Sequence, residues 1–160
     1  MKRSKQILVA SHCVLNQSAV VAGEARSPGV MKAAVDWAHE QEYGIVQLPC
    51  PEFTFLGPER PPMTVEEYDT PEFHAHNRKI LAPVVEQLKV YQDHGYTIVG
   101  GLAISGSPSC DPGRGVFIQD FLALSAEEGV RVDFFWQIPN TDEGHFDPSD
   151  EKSVFGPVHT

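Results

Sequence analysis

Short runs of consecutive apolar residues alternate along the chain with longer stretches in which apolar positions recur every three or four residues. Ile7-Leu8-Val9-Ala10 is a continuous apolar run and predicts a strand over 6–10 buried on both faces. Gly44-Ile45-Val46-Gln47-Leu48 predicts a second strand. Tyr96 to Ile104, the most apolar run in the chain, predicts a third, and Val130 to Trp136 a fourth. Between them, Val30, Ala33, Ala34, Trp37 and Ala38 fall at helical spacing behind Ser27-Pro28, which reads as an N-cap with proline in the first turn. Thr70-Pro71 caps a second helix with Ile80, Val84, Leu88 and Tyr91 on its inner face. Pro83 is expected to kink or split it, because proline removes a donor and clashes with the preceding turn. Gly95 fits the position after its last turn. Val116 to Glu128 predicts a third helix, closed by Gly129.

Strands alternating with helices define an α/β protein. The expected architecture is a three-layer, Rossmann-like sandwich with a mainly parallel sheet of four or more strands and right-handed crossovers. The chain of 160 residues is the size of one domain and shows no internal repeat or linker. Residues 14–27 read as a long polar loop. The proline-rich segment from Pro49 to Pro71 cannot be regular throughout. Residues 141–160 are rich in Asp, Pro and Gly and read as a tail or flap over a cleft.

Composition narrows the partners. The net charge is −10, and the basic cluster Lys2-Arg3-Lys5 precedes a strand, so a polymeric nucleic acid or an anionic membrane surface is not expected. The first apolar run is too short for a signal peptide, and no stretch approaches a membrane span, which points to the cytoplasm. Thiols stay reduced there, so three cysteines read as ligands or free thiols rather than as disulfides. The oligomeric state is not legible.

The three cysteines have a pattern of their own. Cys13, Cys50 and Cys110 each follow a predicted strand, and no cysteine lies elsewhere. In a parallel sheet the carboxyl ends of all strands share one edge, where such folds bind ligands. The loops that meet there are Ser11-His12-Cys13-Val14-Leu15-Asn16, Pro49-Cys50-Pro51-Glu52, Ser105-Gly106-Ser107-Pro108-Ser109-Cys110-Asp111 and Gln137-Ile138-Pro139-Asn140. Buried cysteine as a small apolar residue is the plain alternative. Structural zinc favours close Cys-x-x-Cys pairs, which are absent from the sequence. Three separated thiolates suit an iron–sulfur cluster, with one iron left without a cysteine ligand and able to act as a Lewis acid. His74 and His76 do not make a metal pair, because positions two apart on a helix face different ways.

The strand–Cys start, the Cys-Pro-Glu with the downstream Leu56-Gly57-Pro58-Glu59-Arg60-Pro61-Pro62, and Ser107-Pro108-Ser109-Cys110 resemble the DUF523 family, whose characterised members are thiouracil desulfidases. The resemblance covers about the first 115 residues. It implies a 4Fe-4S cluster on Cys13, Cys50 and Cys110, with one iron not ligated by cysteine, and removal of sulfur from a small thiolated compound without net redox change. It matches Glu52 to the family's acidic residue after Cys-Pro, and Ser107 and Ser109 to the serines before the last cysteine. The chain departs from the family pattern in its first loop, which reads Ser-His-Cys-Val-Leu-Asn, and at Asp111, where glycine is usual.

Candidate roles follow. Glu52 is the expected general base or proton shuttle, with a structural pairing to Arg60 as the alternative. Ser107 and Ser109 are candidate catalytic groups, and ordinary turn chemistry is the alternative for them and for Ser105. His12, Asn16, Ser105 and Asp111 are candidate substrate contacts. A non-catalytic cluster or metal module and a metal-free thiol enzyme are the competing functions.

Overall fold

The computed structural model describes residues 1–141 and 144–157. Its sheet has five strands in the order β2-β1-β3-β4-β5: β1 Gln6–Ala10, β2 Gly44–Gln47, β3 Thr97–Ile104, β4 Phe134–Ile138 and β5 Val154–Pro157. The first four are parallel to one another, and β5 runs antiparallel along β4. The helices are α1 His12–Leu15, α2 Lys32–Glu40, α3 Pro51–Leu56, α4 Val65–Tyr68, α5 Pro71–Asp93 and α6 Val116–Glu127. The fold is therefore α/β with a mostly parallel sheet, as the alternation of patterns predicts. No helix among the described residues is long and apolar enough to cross a membrane.

Alternation along β1 divides the core. Ile7 and Val9 join Leu81, Val85 and Leu88 of α5 and Phe117, Ile118 and Phe121 of α6 on one face. Leu8 and Ala10 join Ala34, Trp37 and Ala38 of α2 on the other. Successive strand residues point to opposite sides, so a strand apolar at every position must be covered on both. Between β1 and β3 the register shifts by one residue at Ile7/Leu8. Just beyond, Gly101 passes so close to β4 that an added Cβ would lie 2.3 Å from the Phe135 ring, so only glycine fits.

Four expectations are corrected. The first long helix starts at Lys32, not at Ser27-Pro28, and Val30 lies outside it while Met31 is buried. Gly29 O accepts from Gln17 N and Met31 N donates to Val14 O, so this segment pairs with the first loop instead of coiling. The fourth strand is displaced to Phe134–Ile138. Val130 N is held by Ser125 O and Arg131 N by the Gln92 side chain, which keeps both out of the ladder. Pro83 does not split α5, which is continuous from Pro71 to Asp93. The proline is exposed, so the donor it lacks removes a bond on the watery side of the helix. The C-terminal segment is more than a tail: it supplies β5 and buries Phe146 against Trp37. The proline-rich stretch also holds two short helices. One of them, α4, opens with a capping box between Thr64 and Glu67.

A polar knot joins α4, α5 and α6. The His74 ring bonds Asp120 through Nδ1 at 2.8 Å and Asp69 through Nε2 at 2.6 Å, and buried Asn77 donates to Asp120 at 3.0 Å. The Asp69 bond, with help from Asp120, raises the His74 pKa against the opposing effect of burial. A raised native pKa means that protonation favours the folded state. The stabilisation is full below the ordinary histidine range, about 6.5, and is lost as pH rises through the higher native value. Denaturation midpoints measured across that window should fall with rising pH in the wild type and change less in His74→Gln.

Candidate functional site

Three strand ends deliver three thiols to one cavity. Cys13 lies in the single turn α1 that follows β1. Cys50 precedes α3 after β2, and Cys110 lies midway along the loop between β3 and α6. All three line a cavity of about 520 Å³ together with Glu52, Ser107, Arg26, Arg60 and Asn140. That volume lies within the usual range for small-molecule sites.

Each thiol is held by local sequence chemistry. The carbonyl of Cys13 accepts from the buried Gln17 side chain at 2.7 Å, and Gln17 Oε1 accepts from Arg26 N at 2.8 Å. Cys50 is the N-cap of α3. Its sulfur accepts from Phe53 N at 3.4 Å, while Pro51 presets the first helical turn. Thr54 Oγ1 donates to the Cys50 carbonyl at 2.7 Å and bonds His76 Nε2 at 2.7 Å. Around Cys110, Ser107 Oγ accepts from Cys110 N at 3.0 Å and from Ser109 N at 3.3 Å. Gly115 is forced by this loop, since an added Cβ would stand 2.3 Å from Ser109 O.

The thiols are hard to ionise as they stand. Burial pushes Cys13 up to about 12, and the neighbouring Cys50 adds to the shift. Cys50 is raised chiefly by burial and eased by the Phe53 N–H. Cys110 is raised well above its ordinary value by burial, then by the charges of Cys13 and Cys50. The buried Ser11 hydroxyl lies beside Cys110 and has no other hydrogen-bond partner among the described residues. Mutual influence among three sulfurs is the electrostatic signature of thiols gathered at one place.

Glu52 is buried on the same cavity. Arg60 Nε donates to Oε1 at 3.2 Å and the Tyr68 hydroxyl donates to the same oxygen at 3.0 Å. The Glu52–Arg60 pairing weighed from the sequence is therefore present. Both bonds fall on Oε1, and among the described residues Oε2 accepts none. Arg60 is itself fixed by the carbonyls of Gly57 and Ala19. Burial and the adjacent Glu52 charge raise the Tyr68 pKa, so its hydroxyl stays protonated and serves as a donor.

The remaining candidates stand elsewhere. Ser109 is fully buried, its hydroxyl has no hydrogen-bond partner among the described residues, and it is not in the cavity wall. Asp111 ties its own loop, accepting from Gly106 N, Gly113 N and Arg114 N. Asn16 caps a short turn through Ser18 N. Ser105 contributes its backbone N–H to Ile138 O. His12 is half-buried outside the wall, and burial lowers its pKa. The sequence reading missed Arg26, Gln17, Tyr68 and Asn140. Asn140 lies in one of the strand-end loops without a motif of its own, and the other three sit in loops or short helical turns that carry no motif signal.

Three thiols and the Arg60-paired Glu52 are in the wall, with no imidazole among its described residues, and thiolate is the ligand an iron–sulfur cluster prefers. Among the described residues no three His, Cys, Asp or Glu side chains stand close enough to hold a single metal ion. Fold and site thus define an α/β protein with a three-cysteine cavity at the carboxyl edge of its sheet. The chain belongs to the family of Uncharacterized protein MJ0003 of Methanocaldococcus jannaschii, to which it is 37% identical over 121 residues, 74% of this chain and 77% of that protein. No family model matches the chain, and no solved structure matches it.

Two outcomes test the site as a physical object. In metal-free protein at neutral pH, iodoacetamide should label all three cysteines slowly, Cys110 slowest, with rapid labelling on unfolding, as read by mass spectrometry. Arg60→Met should lower stability by about 3–5 kcal/mol, because it leaves the Glu52 carboxylate buried without its cation; a denaturant titration measures this.

Proposed function

We propose that the protein is an iron–sulfur-dependent desulfidase related to the thiouracil desulfidases of the DUF523 family. It would act in the cytoplasm on a small thiolated compound, from a three-layer Rossmann-like sandwich. One observation carries the reading: Cys13, Cys50 and Cys110 reach one cavity from three strand ends, with Glu52 in the same wall. The family resemblance rests on the loop motifs around these residues.

Cys13, Cys50 and Cys110 would hold a 4Fe-4S cluster, which supplies a Lewis-acidic iron toward the sulfur of a thione. The overall change is hydrolytic: the thione and one water give the carbonyl compound and hydrogen sulfide, so no electron donor is required. Glu52 is the group that takes the proton from water. Arg60 and Tyr68 anchor Oε1 and fix the direction of the carboxylate, which leaves Oε2 for the proton. Ser107 accepts two backbone N–H groups on its oxygen, so its own proton is free for donation into the cavity it lines. Loading requires three deprotonated thiols and releases their protons.

The raised thiol pKa values weigh against a metal-free thiol enzyme, because a nucleophilic cysteine needs a lowered one. Anaerobically purified or reconstituted protein should be brown with roughly four irons per chain. Replacing any of the three cysteines by serine should abolish the colour. Glu52→Gln should keep the iron and lose sulfide release from thiolated bases and thioamides by about a hundredfold or more. A colourless protein holding one zinc would sink the cluster, and an active Glu52→Gln variant would remove Glu52 from the chemistry.

A further inference from the structure

The cavity contains two guanidinium groups in different situations. Arg60 is engaged by Glu52 and by two backbone carbonyls. Arg26 is half-buried and among the described residues bonds only neutral acceptors, the Pro139 carbonyl through Nη1 at 2.9 Å and Asn140 Oδ1 through Nη2 at 2.8 Å. Among the described residues no carboxylate pairs with it. A guanidinium carries five N–H donors, and these bonds leave the others for a ligand.

The clasp also sets the second group. Because Asn140 Oδ1 faces Arg26, its amide nitrogen is the end left over, and among the described residues that nitrogen donates to no acceptor. Gly106 lies against it, and an added Cβ there would stand 3.2 Å from Asn140 Nδ2. Arg26 and Asn140 thus form a donor-only edge on the cavity that holds the cysteines. The strand order places this edge away from Glu52: Glu52 follows β2 and Asn140 follows β4, with β1 and β3 between them. At about 4.8 Å per strand the strand ends that carry Glu52 and Asn140 are on the order of 14 Å apart at the sheet, so Glu52 and the Arg26 guanidinium act on different sides of the cavity. Glu24 also lines the cavity but is exposed, where water screens it.

We propose that Arg26 and Asn140 form an anion subsite, so that the compounds accepted here are small thiolated acids, their sulfur toward the cysteines and their carboxylate on Arg26. A planar, doubly donating guanidinium suits a carboxylate, and its position is fixed before binding by Gln17, Pro139 and Asn140. The inference rests on the cavity being the substrate site and names the class of substrate.

The test is calorimetric binding of two matched pairs, 2-thiouracil against its 6-carboxylate and thioacetamide against thiooxamate, to reconstituted and to metal-free protein. The acid of a pair should bind ~tenfold or more tightly than its neutral partner, the usual scale of a charge-assisted hydrogen bond. Arg26→Gln should erase that ratio and Arg26→Lys should keep part of it. Asn140→Ala, which removes one clasp but not the charge, should keep a preference for the acid. Unfolding midpoints of each variant separate a lost subsite from a lost fold, since a purely structural clasp would move the midpoint and leave the ratio alone. Equal binding of acid and neutral compound in both pairs, or binding of neither, overturns the proposal. So does a preference that arises only after Asp142→Asn and Glu143→Gln, because the guanidinium would then belong to the chain's own acids. Acid preference without sulfide release would fail the desulfidase reading alone, and sulfide release without acid preference would fail the subsite alone.

Discussion

Parallel pairing of β1 with β2 and with β3 is the constraint on which the site depends. It points three chain segments, separated by tens of residues, out of the same edge of the sheet. Antiparallel pairing would send alternate loops to opposite ends and scatter the cysteines. Parallel pairing in turn requires helical crossovers and two covered faces, which explains the unbroken apolar runs of β1 and β3. The close approach at Gly101 lets β4 join the same array, so its carboxyl end, with Pro139 and Asn140, completes the rim.

Around the thiols the arrangement is one of opposed electrostatic demands. Burial keeps the sulfurs protonated, and three of them together resist ionisation further. Glu52, in the same wall, tolerates burial because Arg60 and Tyr68 supply its hydrogen bonds. The site thus favours neutral thiols beside one paired carboxylate.

The sequence is most legible where one physical effect dominates. Burial on both faces marks β1 and β3, and the Thr70-Pro71 cap marks α5, because nothing competes with those signals. It is least legible where partners distant in the chain take backbone groups. Gly29 and Met31 pair with the first loop, so Ser27-Pro28 looks like a helix start and is not one. Val130 and Val132 are buried, and so read as strand, yet the backbone at Val130 and Arg131 bonds Ser125 and the Gln92 side chain. The cysteines were legible by position after strands. Tyr68 and Arg26 were not, because a tyrosine on a one-turn helix and an arginine in a polar loop gain meaning only from what lies across the cavity.

The link from Arg26 to Pro139 and Asn140 joins positions 113 and 114 residues apart. Such contacts form only after the intervening chain has collapsed, since the entropy of closing a long loop is overcome late in folding. The pairing of Gln6 with Thr97, which sets the sheet edge, spans the chain almost as widely. Edge and wall therefore both belong to the non-local part of folding, so no local piece of the chain carries even a partial cavity.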